Sequence, residues 1–235
     1  MTKTACIIGS GLGGMAVAIR LAAKGYKVNI FEKNDLPGGR IGQSEENGFR
    51  FDTGPTKLYM PQMLDELFVL HHKDPRKYFN YQRAESSGLY LFPDGNQINA
   101  WSDAERLAEE ISNKAFEPKN KIIAYLHKCY EIWELASPLL IYSSLHHIKN
   151  YFKSQNRKAL LKLHKLDFFH SLHKRNQKAF SNSKIVDIFD KAASASGNNP
   201  YKSPATIRFA SHIEYNLGSY HVQDGMYNII KALYD

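Results

Sequence analysis

The sequence has few cysteines and no long apolar run. Cys6 and Cys129 are its only cysteines among 235 residues, and both stand in apolar surroundings. This excludes a disulfide framework and indicates two buried thiols in a reducing compartment. The longest apolar candidate, residues 136–145, is about half the length of a membrane-spanning helix and contains Pro138. The N-terminus lacks the pattern of a secretory signal, so we expect a cytoplasmic chain without a transmembrane segment.

Positive charge is concentrated in one segment. The formal net charge is +8, and residues 146–178 contain nine Lys or Arg residues against Asp167 alone. Apolar side chains alternate with these charges, which is typical of helices that bind anionic membrane surfaces. A helical subdomain with a solvated lysine face explains the same pattern equally well. No nucleic-acid-binding motif accompanies the charge, so we expect no nucleic-acid partner.

A glycine-rich turn follows the first predicted strand. Residues 4–9 form a short apolar run that predicts a buried parallel strand, residues 12–24 predict a helix, and residues 27–31 predict a second strand. Between the first strand and the helix, Gly9-Ser10-Gly11-Leu12-Gly13-Gly14 matches G-x-G-x-x-G. In this motif the first glycine allows the tight turn, the second lets the backbone approach a pyrophosphate, and the third lets the helix pack on the strand.

Glu32 directly follows the second predicted strand, 18 residues after Gly14. A carboxylate at this position can accept hydrogen bonds from the ribose hydroxyls of an adenosine. The pyrophosphate would lie at the helix N-terminus, where free N–H groups favour negative charge. The sequence therefore predicts an α/β fold that begins with a Rossmann-like, dinucleotide-binding βαβ unit.

The stretch that follows Glu32 favours FAD over NAD. Leu36-Pro37-Gly38-Gly39-Arg40 combines two glycines, which bring backbone amides close to a diphosphate, with an arginine that offers a planar donor fork to phosphate oxygens. A Gly-Gly-Arg at this place resembles the second dinucleotide motif of the glutathione-reductase-type flavoproteins, especially the amine oxidase and carotenoid desaturase branches. The resemblance implies that the cofactor is FAD.

The next loop resembles one family within that group. Phe49-Arg50-Phe51-Asp52-Thr53-Gly54-Pro55-Thr56 is similar to a loop of the carotenoid (phytoene) desaturases, and residues 199–206 also resemble that family. The likeness is closest to the bacterial branch that includes hydroxycarotenoid 3,4-desaturases. The chain departs from the family at Asp224, where a glycine is expected beside the flavin region.

This resemblance implies an oxidoreductase that removes hydrogen from a lipophilic polyene, such as phytoene or a hydroxycarotenoid, and passes electrons to a quinone or oxygen. Such an enzyme would bind peripherally to a membrane, here through residues 146–178. We expect no metal site and can assign no catalytic residue, since His164, His170 and His173 are expected to be solvated. The implied FAD-binding residues are Gly9, Ser10, Gly11, Leu12, Gly13, Gly14, Glu32, Lys33, Gly38, Gly39, Arg40, Gly54, Pro55 and Thr56.

The resemblance also implies an organisation in three parts. Residues 1–70 would form the FAD-binding βαβ portion, residues 71–215 a mostly helical inserted region for substrate and membrane with a small β part, and residues 216–235 the start of a return to the FAD domain. Relatives are about twice as long, so we expect the N-terminal half of an enzyme, as a truncated product, a gene fragment or one half of a split enzyme. An amine-oxidase-like or protoporphyrinogen oxidase and an inactive fragment stay open as alternatives.

Turn residues predict two hairpins and a helix start outside the βαβ unit. Asn47-Gly48 separates residues 44–46 from 49–52, and residues 93–96 separate 89–92 from 97–101. Ser102, followed three residues later by Glu105, predicts a capping box that opens a helix.

Overall fold

A parallel βαβ unit opens the chain. In the computed structural model, which describes residues 2–143, 147 and 162–234, strand β1 (Thr4–Ile8) pairs in parallel with strand β2 (Lys27–Phe31). Helix α1 (Leu12–Ala22) connects the two strands and packs against both. Parallel neighbours need such a crossover connection, so the local order is the one that the glycine motif predicts.

The expectation that β1 is a buried strand is wrong. Its side chains alternate between half-buried and exposed, and Ile8 is 93% exposed while Phe31, its partner on β2, is 60% exposed. Cys6 is likewise exposed, whereas Cys129 is buried as expected. In the described part of the chain, the sheet that contains β1 has two strands. So small a sheet leaves the side chains of β1 with little to cover them.

The chain divides into two compact units, residues 1–84 with 219–235 and residues 85–218. After β2, the first unit contains the predicted hairpin around Asn47-Gly48, in which both turn residues have positive φ, as a type I′ turn requires. Its apolar core gathers side chains of α1, the second helix and the last helix, among them Met15, Leu67 and Ile230. The remaining elements of this unit are β3 (Gln43–Glu46), β4 (Phe49–Asp52), α2 (Gln62–Val69), a 3-10 turn at Pro75–Lys77, β5 (Tyr81–Arg83), β8 (Tyr220–Val222) and α8 (Tyr227–Tyr234).

One strand pair of the first unit was not predicted from the sequence. Strands β5 and β8 pair antiparallel, with Tyr81 opposite Val222. About 140 residues separate them along the chain, so no local turn signal could announce the pairing. It joins the end of the first part of this unit to the segment that returns after residue 218.

The second unit is mostly helical around an aromatic core. Its hairpin of β6 (Ser86–Leu91) and β7 (Gln97–Trp101) confirms the second turn prediction. Phe189 is fully buried in the core, where its ring meets those of Tyr125, Phe180 and Tyr215. The helices are α3 (Ala104–Ala115), α4 (Lys119–Leu140), α5 (Leu172–Ala179), α6 (Ser183–Ser194) and the short α7 (Phe209–His212), with 3-10 turns at Leu163–Leu166 and Ala205–Arg208 and a π-helical turn at Ile213–Leu217.

The start of α3 corrects the predicted capping box. The N-cap is Asp103, whose side chain accepts a hydrogen bond of 2.9 Å from the backbone N–H of Arg106. We expect Asp103→Ala to lower the free energy of unfolding by about 1 kcal/mol, because this N–H then lacks its side-chain acceptor. Asp103→Asn should retain most of the stability, since an asparagine oxygen caps equally well. Denaturant titration of both variants tests this, and equal losses would contradict a capping role.

No helix in the described ranges is both long enough and apolar enough to cross a bilayer. Of the basic segment, residue 146 and residues 148–161 lie outside the described residues, and so does most of the amphipathic surface expected there. Its described remainder contains the 3-10 turn at Leu163–Leu166 and helix α5.

Candidate dinucleotide-binding site

The first glycine loop forms a tight turn between β1 and α1. Gly9 has a φ of +94°, which favours glycine, and its N–H donates to the carbonyl of Phe31 at 2.7 Å. Gly14 lies so close to Gly9 that a Cβ atom on it would stand 2.1 Å from the Gly9 carbonyl oxygen. No side chain caps α1 at Gly11, so the first N–H groups of this helix are available to an external acceptor.

The Gly-Gly-Arg loop packs directly on this turn. The N–H of Gly38 donates to the carbonyl of Ser10 at 3.0 Å, and Gly38 forms a parallel bridge with Gly11. Gly38 and Gly39 both have positive φ. The hydroxyl of Tyr227, from α8, donates to the carbonyl of Pro37 at 3.1 Å. The returning helix therefore helps to hold the second glycine loop against the first.

A third segment, around Gly54, packs on the Gly-Gly-Arg loop. A Cβ atom on Gly54 would stand 1.8 Å from the carbonyl oxygen of Arg40, so this contact requires glycine. The three segments surround a cleft of about 870 Å³, within the size range of cofactor sites. Its lining consists of Gly11, Leu12, Gly13, Gly38, Gly39, Arg40, Ile41, Thr53, Gly54 and Pro55.

The structure thus brings eight of the fourteen residues expected to bind the cofactor to one cleft. Ile41 and Thr53 also line it and were not predicted, although they directly follow or precede predicted residues. The other six predicted residues, which do not belong to this lining, are Gly9, Ser10, Gly14, Glu32, Lys33 and Thr56. Gly9 and Gly14 instead shape the turn, through positive φ and close backbone approach.

Glu32 is held by donors of its own chain. One carboxylate oxygen accepts from the backbone N–H and the hydroxyl of Ser10, both at 2.8 Å, and the other accepts from the backbone N–H and side-chain amide of Asn34. The Ser10 and Asn34 backbone hydrogen bonds, in that order, are the main causes that lower the pKa of Glu32 to about 2. For Glu32 to accept a hydrogen bond from a further hydroxyl group, that group would have to displace the hydroxyl of Ser10 or the side-chain amide of Asn34, or share a carboxylate oxygen with one of them.

This shifted pKa predicts an acid-dependent contribution to stability. Because the pKa falls from its ordinary value of 4.5 to about 2 in the folded chain, the stabilisation is complete above pH 4.5 and is lost as pH falls towards 2. Glu32→Gln should therefore unfold more easily than the wild type at neutral pH, and the difference should shrink below pH 4.5. Thermal unfolding of both proteins across this range measures it, and a difference independent of pH would contradict the ionised role.

Asp52 has a structural role that the sequence did not reveal. Its carboxylate accepts from the backbone N–H of Met226 at 3.1 and 3.2 Å, just before α8 begins. Gly225 lies close to the same carboxylate, and Asp224 has a φ of +62°. Aspartate tolerates this left-handed conformation, which explains how it can stand where a glycine is expected. Asp224 does not belong to the lining of the cleft.

Two of the histidines that were expected to be solvated, His170 and His173, lie in hydrogen-bonded pairs. His173 is largely buried, and its Nδ1 lies 2.5 Å from a carboxylate oxygen of Asp190, so the expectation that it is solvated is wrong. Nδ1 of His170, which is more exposed, lies 2.8 Å from Asp167. Among the described residues, no group of three or more His, Cys, Asp or Glu side chains could hold a metal ion.

Comparison with known proteins finds sequence relatives along nearly the whole chain. The model of the NAD(P)-binding Rossmann-like domain matches residues 7–68, which contain both glycine loops. The chain is 36% identical to the 1-hydroxycarotenoid 3,4-desaturase of Flavobacterium sp. strain P99-3, over 99% of this chain and 47% of the relative. The chain is a homologue of carotenoid desaturases. It is also 28% identical to the 4,4'-diaponeurosporene oxygenase of Staphylococcus aureus, over 99% of this chain and 46% of that protein.

The comparisons confirm the predicted family resemblance and the Rossmann-like α/β fold. The chain spans about half the length of the curated relatives it matches. A structure of putrescine oxidase bound to putrescine superimposes with a TM-score of 0.60 at 14% identity, covering 99% of this chain and 48% of that one. At this identity the likeness shows the fold alone.

Proposed function

We propose that the chain binds FAD and forms part of a FAD-dependent desaturase that acts on a carotenoid. The observation that carries this proposal is the 36% identity with a 1-hydroxycarotenoid 3,4-desaturase along 99% of the chain. The substrate would be a lipophilic polyene such as phytoene or a hydroxycarotenoid. A quinone or oxygen would be the final electron acceptor.

The glycine-lined cleft fits the diphosphate of a dinucleotide. Gly11, Gly38 and Gly39 expose backbone without side chains along the cleft, and a helix N-terminus without a side-chain cap lies beside them. We assign the diphosphate to these backbone groups and to the guanidinium of Arg40. Glu32, ionised at neutral pH, would accept a ribose hydroxyl in place of the hydroxyl of Ser10 or the amide of Asn34.

The other predicted residues have supporting roles in the proposed site. Gly9, Ser10, Gly13 and Gly14 belong to the turn that starts α1, while Leu12, Gly54 and Pro55 line the cleft. Lys33 and Thr56 are assigned by the family resemblance. Bound FAD would supply the chemistry by accepting hydride from the polyene, and the chain would position it and exclude water.

We further propose that residues 1–70 and 216–235 serve the cofactor and that residues 71–215 serve the substrate and a membrane surface. The division of the chain into two compact units, with boundaries after residues 84 and 218, supports a division of this kind. Peripheral attachment through the basic segment 146–178 would give the chain access to a substrate that partitions into lipid.

Cofactor binding is the first test. The purified chain is incubated with FAD or with NAD and desalted, and the bound nucleotide is measured by its absorbance. We expect about one flavin per folded chain and no retained NAD. A folded chain that retains NAD in preference to flavin would contradict the assignment.

The substrate class can be tested with a chimera. The stretch of the Flavobacterium desaturase that matches this chain is replaced by the chain itself, and the chimera is expressed in a host that accumulates a 1-hydroxycarotenoid. We expect a pigment with a longer conjugated system, seen as a shift of absorbance to longer wavelength. A flavin-loaded chimera that leaves the pigment unchanged would refute the desaturase assignment.

A further inference from the structure

A cleft in the second unit is lined by four basic side chains and one carboxylate. Its volume is about 330 Å³, and its lining is Lys128, Lys165, Asp167, Arg175 and Arg208. These residues come from α4, from the 3-10 turn at Leu163–Leu166 and the residue after it, from α5, and from the 3-10 turn at Ala205–Arg208. A concave surface lined mainly by charges of one sign concentrates ions of the opposite sign.

Asp167 stands between the two arginines and cannot neutralise both. It is buried, and its oxygens accept from Nη2 of Arg175 at 2.8 Å and from Nη2 of Arg208 at 3.2 Å. Nε of Arg175 lies 2.6 Å from the carboxylate without the alignment of a hydrogen bond. One carboxylate between two guanidinium groups leaves one positive charge in excess.

The two lysines add to this excess. Lys128 donates to Glu131 at 2.6 Å, but Glu131 does not belong to the lining of the cleft. Lys165 brings a further ammonium group from the 3-10 turn. Even when Glu131 is counted, four cations stand against two carboxylates, which leaves an excess of two positive charges.

Arg208 has an unused donor at this place. Its side chain is 9% exposed, and its Nε is buried without a hydrogen-bond acceptor among the described atoms. Burying a guanidinium N–H without an acceptor is unfavourable, so such a group indicates an acceptor that the described part of the chain does not supply. This observation is independent of the charge count and points to the same cleft.

We propose that this cleft binds a phosphate group. Free phosphate can carry two negative charges and a phosphodiester headgroup carries one, so both oppose the excess positive charge, and the oxygens of both accept well from guanidinium forks and from ammonium groups. Asp167 is then a positioning residue that orients Arg175 and Arg208. The phosphate is either free in solution or part of an anionic lipid headgroup. The proposal does not depend on FAD binding.

The test compares two double variants of the full chain with the same change in net charge. Lys128→Ala with Lys165→Ala removes both lysines of the cleft, whereas Lys174→Ala with Lys178→Ala removes two exposed lysines of α5 outside its lining. Inorganic phosphate is titrated by calorimetry. Sedimentation with vesicles compares phosphatidylglycerol mixed into phosphatidylcholine with phosphatidylcholine alone.

We expect the cleft variant to lose phosphate-group binding by about tenfold or more, while the control changes by less than about twofold and both retain flavin. Saturable one-to-one binding of inorganic phosphate, with vesicle binding equal in both variants, would identify free phosphate as the ligand. A selective loss of binding to anionic vesicles would identify the lipid headgroup.

Two outcomes would overturn the proposal. Equal losses of binding in both variants would show that the net positive charge of the protein, and not this cleft, attracts the phosphate group. A wild-type chain with no saturable phosphate binding and no cleft-dependent vesicle binding would show that the cleft has no such ligand. As a further check, Arg208→Lys should weaken phosphate binding although the charge is kept, because it removes the planar fork.

Discussion

Gly14→Ala is expected to destabilise the first unit by about 3 kcal/mol or more, the upper range for an overpacked site. The added methyl group would stand 2.1 Å from the carbonyl oxygen of Gly9 and 3.5 Å from a methyl of Ile7. Because both neighbours belong to β1 and its turn, α1 would have to move away from the strand. Flavin retention should be lost with the fold, and the melting temperature should fall by roughly 10–20 °C.

Gly13→Ala is the matched control for this substitution. Gly13 lies in the same turn of α1, but a Cβ atom on it would meet nothing within 4 Å. Alanine should therefore leave stability unchanged or raise it by up to about 1 kcal/mol through helix propensity. If Gly14→Ala and Gly13→Ala melted alike, the close approach of α1 to the strand would not be a source of stability.

Gly11→Val is expected to separate cofactor binding from folding. Gly11 has an ordinary extended backbone, with φ −68° and ψ 169°, and a Cβ atom on it would make only normal contacts at 3.9 and 4.0 Å. The valine methyl groups would instead fill the cleft where we place the diphosphate. We expect flavin affinity to fall at least about 100-fold, or about 2.7 kcal/mol, while the melting temperature stays close to that of the wild type.

Flavin content after desalting and thermal unfolding, measured on the same preparations, test this pair of effects. Val17→Ala is a suitable control, because this exposed residue of α1 does not line the cleft. A stable Gly11→Val chain with a full complement of flavin would show that the cofactor does not lie between the two glycine loops.

The loops of the cleft could be predicted from the sequence because their backbone conformations restrict the residue type at single positions. Positive φ at Gly9, Gly38 and Gly39 restricts these positions largely to glycine, so the motif can be read directly. Asn47-Gly48 predicted its hairpin for the same reason, because both turn residues need a positive φ. Thr53 lines the cleft only because it is next to Gly54 in the chain. Its position does not restrict the residue type, so it was not predicted.

Long-range contacts could not be read from the sequence. The hydrogen bonds from Met226 to Asp52 and from Tyr227 to Pro37 join segments more than 170 residues apart. The burial of Cys6 was predicted from its apolar neighbours, but exposure depends on what covers β1, which local composition does not encode. In the second unit, the charge of residues 146–178 was noted, while the convergence of Lys165 and Arg175 with Arg208 depends on tertiary structure.

The positions of the two cysteines make the native chain suited to chemical footprinting. Cys6 is exposed in the first unit, whereas Cys129 is fully buried in the second and burial raises its pKa to about 12. A thiol-directed alkylating reagent should therefore modify Cys6 at once and reach Cys129 only when the helical core opens. The rate of the second modification would report the opening of one unit without any engineered label.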